Sequence, residues 1–369
     1  MKRFLKHISV LVMMLITAAA AFAETGSGLS AGADSVRVSA SPDTADSDID
    51  VQGIIFGHIG DSYEWHITDI GDRSLTIPLP VIVRSSTGWH CFLSSRLGDG
   101  AVHEGLFISR AGKYEGKVVE LDASGNEVRP LDISVTKNVL ALMISSVILV
   151  TLILCCSRWY RKHDVLREAP RGVAALLEPV IAMINDDVIK DAIGPGYAKF
   201  APYLLTVFFF ILINNLMGIV PFFPGGANIT GNITITFALA FVTFLLTNLT
   251  TKKYYWKDIF CPEVPVWLKP IMVVIEVFGM FTKPFALMLR LFANIMAGHC
   301  LILCVVVIIF ITAKLGAAIG GAMTVVSVFF GIFMDCLELL VAFIQAYVFT
   351  MLSAVFIGLS RQRPEKDKA

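Results

Sequence analysis

Residues 285–310 read FALMLRLFANIMAGHCLILCVVVIIF, and this stretch decides the fold. At 1.5 Å per residue a helix of this length crosses a hydrocarbon core about 30 Å thick. Yet the stretch contains Arg290. A charge at bilayer depth costs at least about 2.5–3.5 kcal/mol on insertion scales, so a chain seldom places one there for packing alone. The residue points to an ion pathway. Two long apolar segments, 284–313 and 319–360, surround it and are separated only by a short turn at Lys314. About 20 helical residues suffice for one crossing. The final segment has twice that, so it must tilt, kink or extend beyond the bilayer.

Charged, imidazole or amide side chains interrupt this hairpin at Arg290, Asn294, His299, Asp335, Glu338 and Gln345. At 100° per residue, Arg290 and Asn294 share a face, whereas His299 is nearly half a turn out of phase with Arg290. On the second helix, Glu338 and Gln345 share a face, and Asp335 lies one turn from Glu338. With Gln345 set level with Arg290, His299 lies about 13 Å and Glu338 about 10 Å further out along antiparallel helices, so the two reach similar depth. Spacing leaves two readings of that pair. One is a proton relay, because histidine titrates near neutrality. The other is a neutralising pair that only joins the helices.

The rest of the chain agrees with a membrane setting. Of 369 residues, 56% are hydrophobic and only 16% charged, whereas soluble proteins carry about 25% charged residues. The net charge of zero gives no indication of a nucleic-acid partner. Further spans are expected at 138–157, 201–220 and 232–250, and residues 200–251 contain no Asp, Glu, Lys or Arg. Basic clusters after the first and third of these spans mark the cytoplasmic side. GVAALLEPVIAMINDDVI (172–189) reads as an interfacial helix. WLKPIMVVIEVFGMFTKP (267–284), with Glu276 and Lys283, reads as a partly inserted cytoplasmic helix. The expected fold is an all-α polytopic membrane protein of five transmembrane helices. The last two form a long, strongly tilted hairpin (membrane domain 138–360), with the N-terminus outside and a cytoplasmic tail at 361–369.

The N-terminus reads as a signal peptide over 1–23. Lys2, Arg3 and Lys6 precede an apolar run from Ile8 to Ala20, and Ala21-Phe22-Ala23 fits a cleavage site. A retained first anchor is the alternative, and either outcome exports the segment after residue 23. Residues 24–50 are Ser-, Asp- and Gly-rich and read as a disordered linker. Residues 51–136 hold short β-branched runs between turn residues, which indicates a small β-rich periplasmic domain. His58 and His66 flank Asp61 and Glu64, but their expected role is surface or packing, with no metal and no cofactor. Only Cys91 of the seven cysteines lies in the exported part, so no disulfide forms within it. No Gly-rich nucleotide loop of the P-loop type occurs.

At TKPFALMLRLFANIMAGH (282–299) the chain resembles subunit a of the F-type ATP synthase. FILINNLMGIVP (210–221), PGGANITGNITIT (224–236) and AFIQAYVFTML (342–352) resemble further segments of that family. The resemblance covers roughly residues 170–360 and does not include the β-rich domain. It implies that Arg290 is the stator arginine facing a rotor carboxylate, and that Asn294, Gln345, His299, Glu338, Asp335 and Glu276 belong to the proton path. Lys283 falls, like Glu276, at a polar position of the inner access route. His299 falls where many members have glutamate and Glu338 where they have histidine, an exchange that keeps one acid and one imidazole. Gly218 stands where some members carry aspartate. The partners so implied are c-ring subunits, stator b subunits, other ATP synthase subunits and the lipid bilayer, in a bacterial inner membrane. A self-contained transporter is a competing reading, although no inverted repeat is evident. A membrane-anchored binding protein that works through its β domain is another.

Overall fold

A computed structural model describes residues 60–361 apart from 71–72, 99–100, 110–113, 115, 123–124, 164–167, 221–224, 252, 263, 266 and 315. The expected signal peptide, the linker and His58 lie outside the described residues, as does the tail beyond 361.

Among the described residues eight short strands form the N-terminal domain: β1 (Glu64–Ile70), β2 (Arg73–Pro78), β3 (Pro80–Ser85), β4 (Gly88–Leu93), β5 (Leu106–Ile108), β6 (Val118–Leu121), β7 (Glu127–Val128) and β8 (Leu131–Asp132). All pairings are antiparallel: β1 with β2, β3 between β4 and β8, and β6 between β5 and β7. Alternation does the sorting, because side chains of successive strand residues point to opposite faces. On β3, Val81 and Val83 turn inward, where they join Tyr63, Phe92, Leu97, Leu106 and Val118 in one small core. The Tyr63 hydroxyl donates to the Asp132 carboxylate and so ties the start of the domain to its last strand.

The helices are α1 (Lys137–Lys162), α2 (Val173–Ala182), α3 (Asp191–Ile193), α4 (Ala201–Ile219), α5 (Ile233–Thr250), α6 (Lys253–Phe260), α7 (Lys269–Ala313) and α8 (Ala317–Leu359). A π-helical stretch, Met183–Lys190, joins α2 to α3. It buries Ile184, Val188 and Ile189 and exposes Asp186, Asp187 and Lys190, which makes it amphipathic. Among the described residues five helices, α1, α4, α5, α7 and α8, are long and apolar enough to cross a membrane. One expectation needs correction. The segment around Glu276 is not a separate helix, because α7 starts at Lys269 and runs unbroken through Pro284. A proline costs a helix its missing N–H and a clash with the preceding turn, but long spans tolerate it when neighbours satisfy the freed backbone.

Helix α4 is the centre of the bundle, in contact with α1 on one side and α8 on the other, while α7 contacts both α8 and α5. Phe208, Phe210, Leu204 and Ile211 of α4 are fully buried. Lipid tails are as apolar as these side chains, so the gain is close packing rather than escape from water. Several polar donors in the charge-free helices are satisfied locally. Thr243, Thr247 and Thr250 each donate to the carbonyl four residues back, and Asn248 does the same to Phe244. The Tyr203 and Thr243 hydroxyls, 2.9 Å apart, connect α4 to α5. The end of α8 approaches α3 so closely that a Cβ at Gly358 would strike the Ala192 carbonyl.

The two long helices are the least enclosed. Only 17% of the most apolar window of α7 or α8 is buried, against 56% for α4. The α7–α8 hairpin is therefore a wall whose outer face lacks protein cover among the described residues.

Candidate proton path

Among the described residues two polar contacts cross the hairpin. Asn294 Nδ2 on α7 donates to Gln345 Oε1 on α8 at 2.9 Å. Further along, His299 Nδ1 lies 3.3 Å from Glu338 Oε1. Sequence spacing brings the second pair to the same level, and the contact agrees with it. The register itself differs slightly: Gln345 lies level with Asn294, so Arg290 is one turn nearer the start of α7.

Small residues make the His299–Glu338 contact fit. A Cβ at Gly298 would sit 3.1 Å from Glu338 Oε1, and one at Gly218 would sit 3.4 Å from His299 Nε2. Glycine at 218 on α4 thus leaves the space that the imidazole occupies. Glu338 is buried, and neither carboxylate oxygen makes a hydrogen bond to a described residue, because the geometry to His299 satisfies a charge contact only. A buried polar atom without a partner is costly, and such atoms cluster where chemistry is done. Asp335 lies one turn away, exposed and close enough to interact with Glu338 electrostatically.

Arg290 is exposed on the hairpin, and no described residue pairs with its guanidinium. Asn294, one turn further on, is also exposed but is tied to Gln345. The polar cross-link nearest the arginine is therefore neutral and leaves its charge uncompensated within the chain.

Glu276 and Lys283 stand in the first half of α7, both exposed. Beside them a cavity of about 30 Å³ opens between α5, α6, α7 and the end of α8, lined in part by Thr243, Thr247, Asn248, Tyr255, Lys283 and Phe356. That volume admits about one water molecule. The Asn248 side-chain amide oxygen is buried without a hydrogen-bond partner among the described residues. Burial, reinforced by the Glu276 carboxylate, pushes the Tyr255 phenol above its usual range.

Sequence reasoning missed Asn215. Buried on α4, its Nδ2 donates to the Ala342 carbonyl of α8 at 3.2 Å, and its Oδ1 accepts from Thr230 at 2.7 Å. The amide doublet in the middle of an otherwise apolar α4 was the available signal. Gly298 was missed too, because nothing in a sequence says what a glycine touches. Among the described residues no group of three or more His, Cys, Asp or Glu is placed to hold a metal ion.

Comparison with known proteins extends this picture. The family model described as ATP synthase A chain matches residues 140–358. A second model, described only as a domain of unknown function, matches residues 54–137. ATP synthase subunit a 2 of Chlorobaculum tepidum is 45% identical over 240 residues, which cover 63% of this chain and 65% of that protein. The protein of the same name from Prosthecochloris aestuarii is 45% identical over 235 residues, covering 62% and 69%. ATP synthase subunit a of Myxococcus xanthus is 40% identical over 237 residues, covering 62% and 74%. The match thus spans about two thirds of these relatives' own length. With the family model covering more than half of the residues, and with Arg290, Asn294, His299, Glu338 and Gln345 all inside it, the chain belongs to the ATP synthase A chain family.

Proposed function

We propose that this chain is the proton-translocating stator subunit of an F-type ATP synthase membrane sector. In this reading α7 and α8 lie obliquely against a ring of rotor subunits, each carrying one mid-membrane carboxylate. The observation that carries the reading is Arg290: an exposed guanidinium, free of described partners, on the least enclosed wall of the bundle. A cation so placed needs a carboxylate from another chain, since its cost in a bilayer is otherwise uncompensated.

The chemistry follows from the arginine. A guanidinium keeps its proton at any working pH. Opposite a rotor carboxylate it favours the ionised form, so the rotor site releases its proton before passing. The same fixed charge repels protons and prevents a direct leak between two half-channels. The outer half-channel is assigned His299, Glu338 and Asp335. The inner one is assigned Glu276 and Lys283, with the adjoining cavity. Asn294 and Gln345 brace the hairpin beside Arg290. The driving energy is about 2.3 kcal/mol per charge per 100 mV.

Orientation follows from the basic residues that end α1 and precede α6: the β domain lies outside, in the periplasm, and the C-terminus lies in the cytoplasm of a bacterial cell. The amphipathic stretch around Asp186 rests on the inner membrane surface. Expected partners are the c-ring, the stator b subunits and the remaining synthase subunits, with ATP bound elsewhere in the complex.

The test is proton-driven ATP synthesis by the assembled complex in vesicles. Arg290→Ala should abolish synthesis while the complex still assembles, and Arg290→Lys should restore little, because a lysine can lose its proton in a desolvated site. Normal synthesis by Arg290→Ala would refute the assignment.

A further inference from the structure

Helix α4 has α8 on one side and α1 on the other. On the α1 side a cavity of about 260 Å³ lies between α1, α2 and α4, and neither half-channel uses it. It extends from Leu149 to Tyr160 along α1 and from Leu205 to Ile213 along α4, and Leu177 of α2 contributes a third wall. That stretch of α1 rises about 16 Å, close to half of a hydrocarbon core about 30 Å thick. Leu149 and Ile213 stand near the middle of their helices. The cavity therefore reaches from one membrane surface to mid-depth and stops there. Its lining is hydrocarbon except at Cys156, Ser157 and Tyr160, all in the last two turns of α1. The polar end is thus the surface end.

We propose that this cavity holds one acyl chain of an anionic phospholipid from the leaflet at the end of α1, with its phosphate among the basic residues around Arg161. The inference needs only that α1 and α4 span the bilayer, so it stands apart from the proton path. Water does not suit the cavity, because most of the lining offers no hydrogen-bond partner. An empty cavity forfeits the dispersion contacts of every side chain around it. A further helix is too wide. It measures about 10–12 Å across, whereas this volume spread along the helices leaves a cross-section of a few tens of Å² at most, about the width of one hydrocarbon chain. The headgroup follows from charge. Arg158, Arg161 and Lys162 at the end of α1 and Arg171 just before α2 are all exposed, and no described residue is ion-paired with them. Of the acids at this level, Glu168 lies 3.8 Å from His163 and Glu178 is half-buried on α2, so positive charge is in excess. Trp159 and Tyr160 stand at the same level, as aromatic side chains do where a membrane meets water. Basic pockets between helices at the cytoplasmic face bind anionic headgroups.

The experiment places the assembled complex in vesicles containing phosphatidylglycerol with a photoactivatable diazirine on one acyl chain, then maps the adducts by peptide mass spectrometry after illumination. Ile153 and Phe209, which line the cavity, should be labelled. Val147, exposed on α1 at a similar depth, reports the surrounding bilayer. Labelling of Val147 without Ile153 or Phe209 overturns the inference, whatever fills the cavity instead. Ile213→Trp fills the cavity and should cut labelling of Ile153 at least about tenfold, since an overpacked site has no room for a chain, while Val147 is labelled as before. Undiminished labelling of Ile153 in that variant overturns the inference. If Ile213→Trp fails to assemble, Leu205→Trp takes its place with the same expected loss. Arg161→Gln should lower labelling of Ile153 by phosphatidylglycerol about fivefold, the scale of one cation near an anionic headgroup. Phosphatidylcholine with the same acyl probe should label Ile153 weakly and be insensitive to Arg161→Gln. Equal labelling by the two lipids in the unaltered complex overturns the anionic assignment.

Discussion

The imidazole of His299 and the carboxylate of Glu338 meet across the α7–α8 hairpin, with Nδ1 and Oε1 3.3 Å apart and a glycine beside each of them. The acid is the more deeply buried of the two, and the imidazole borders on α4 at Gly218. An acid and a base in such contact can hand a proton from one to the other.

That pairing predicts an exchange experiment. His299→Glu alone places two carboxylates in one site, and Glu338→His alone places two imidazoles there. Each should lower proton conductance at least about tenfold, because like-charged neighbours oppose each other's ionisation. The double exchange should recover most of the loss, as read by conductance in vesicles. A double variant no better than the singles would mean that the pair only joins helices.

The Asn294–Gln345 hydrogen bond predicts non-additive stability. Gln345 is buried, so Asn294→Leu strands its amide at a cost of about 1–3 kcal/mol. Asn294→Leu with Gln345→Leu should cost less than the two single effects combined, measured by thermal inactivation of the detergent-purified protein. Simple additivity would show that the bond bears no weight.

Gly298 predicts a steric effect. A methyl group there presses on Glu338 Oε1 at 3.1 Å, and a larger side chain has to displace the carboxylate. Gly298→Ala should reduce conductance modestly and Gly298→Val severely, with both proteins inserted normally in membranes. Equal conductance in both would place the Glu338 side chain elsewhere.

A pH dependence is expected in the β domain. The His90 side chain beside Glu104 holds its carboxyl below the usual range. A carboxyl depressed in the folded state adds stability above its unfolded pKa, and that stability is lost as pH falls through the lower, folded value. The loop at Glu104 should therefore open to protease below about pH 4, the region where an ordinary glutamate titrates. Glu104→Gln should lack this transition. Acid opening that persists in Glu104→Gln would assign it to another group.

The sequence by itself determined the membrane spans, because apolar runs of 18 or more residues have no other solvent that suits them. With Gln345 set level with Arg290, the fixed helical rise also brought His299 and Glu338 to similar depth, although that starting register was a supposition. The β-branched alternation of 74–83 likewise announced strands. Three things waited for the tertiary structure. Pro284 does not end a helix, because a helix long enough to have neighbours on both sides of the proline absorbs it. Gln345 bonds Asn294 rather than standing level with Arg290, because side-chain reach and packing set the final register by one turn. And Asp61 meets the start of α1, where it accepts the Asn138 N–H, although 77 residues separate the two and no periodicity encodes their meeting. Local patterns record what each segment prefers, whereas contacts between distant segments exist only once the helices have chosen their neighbours.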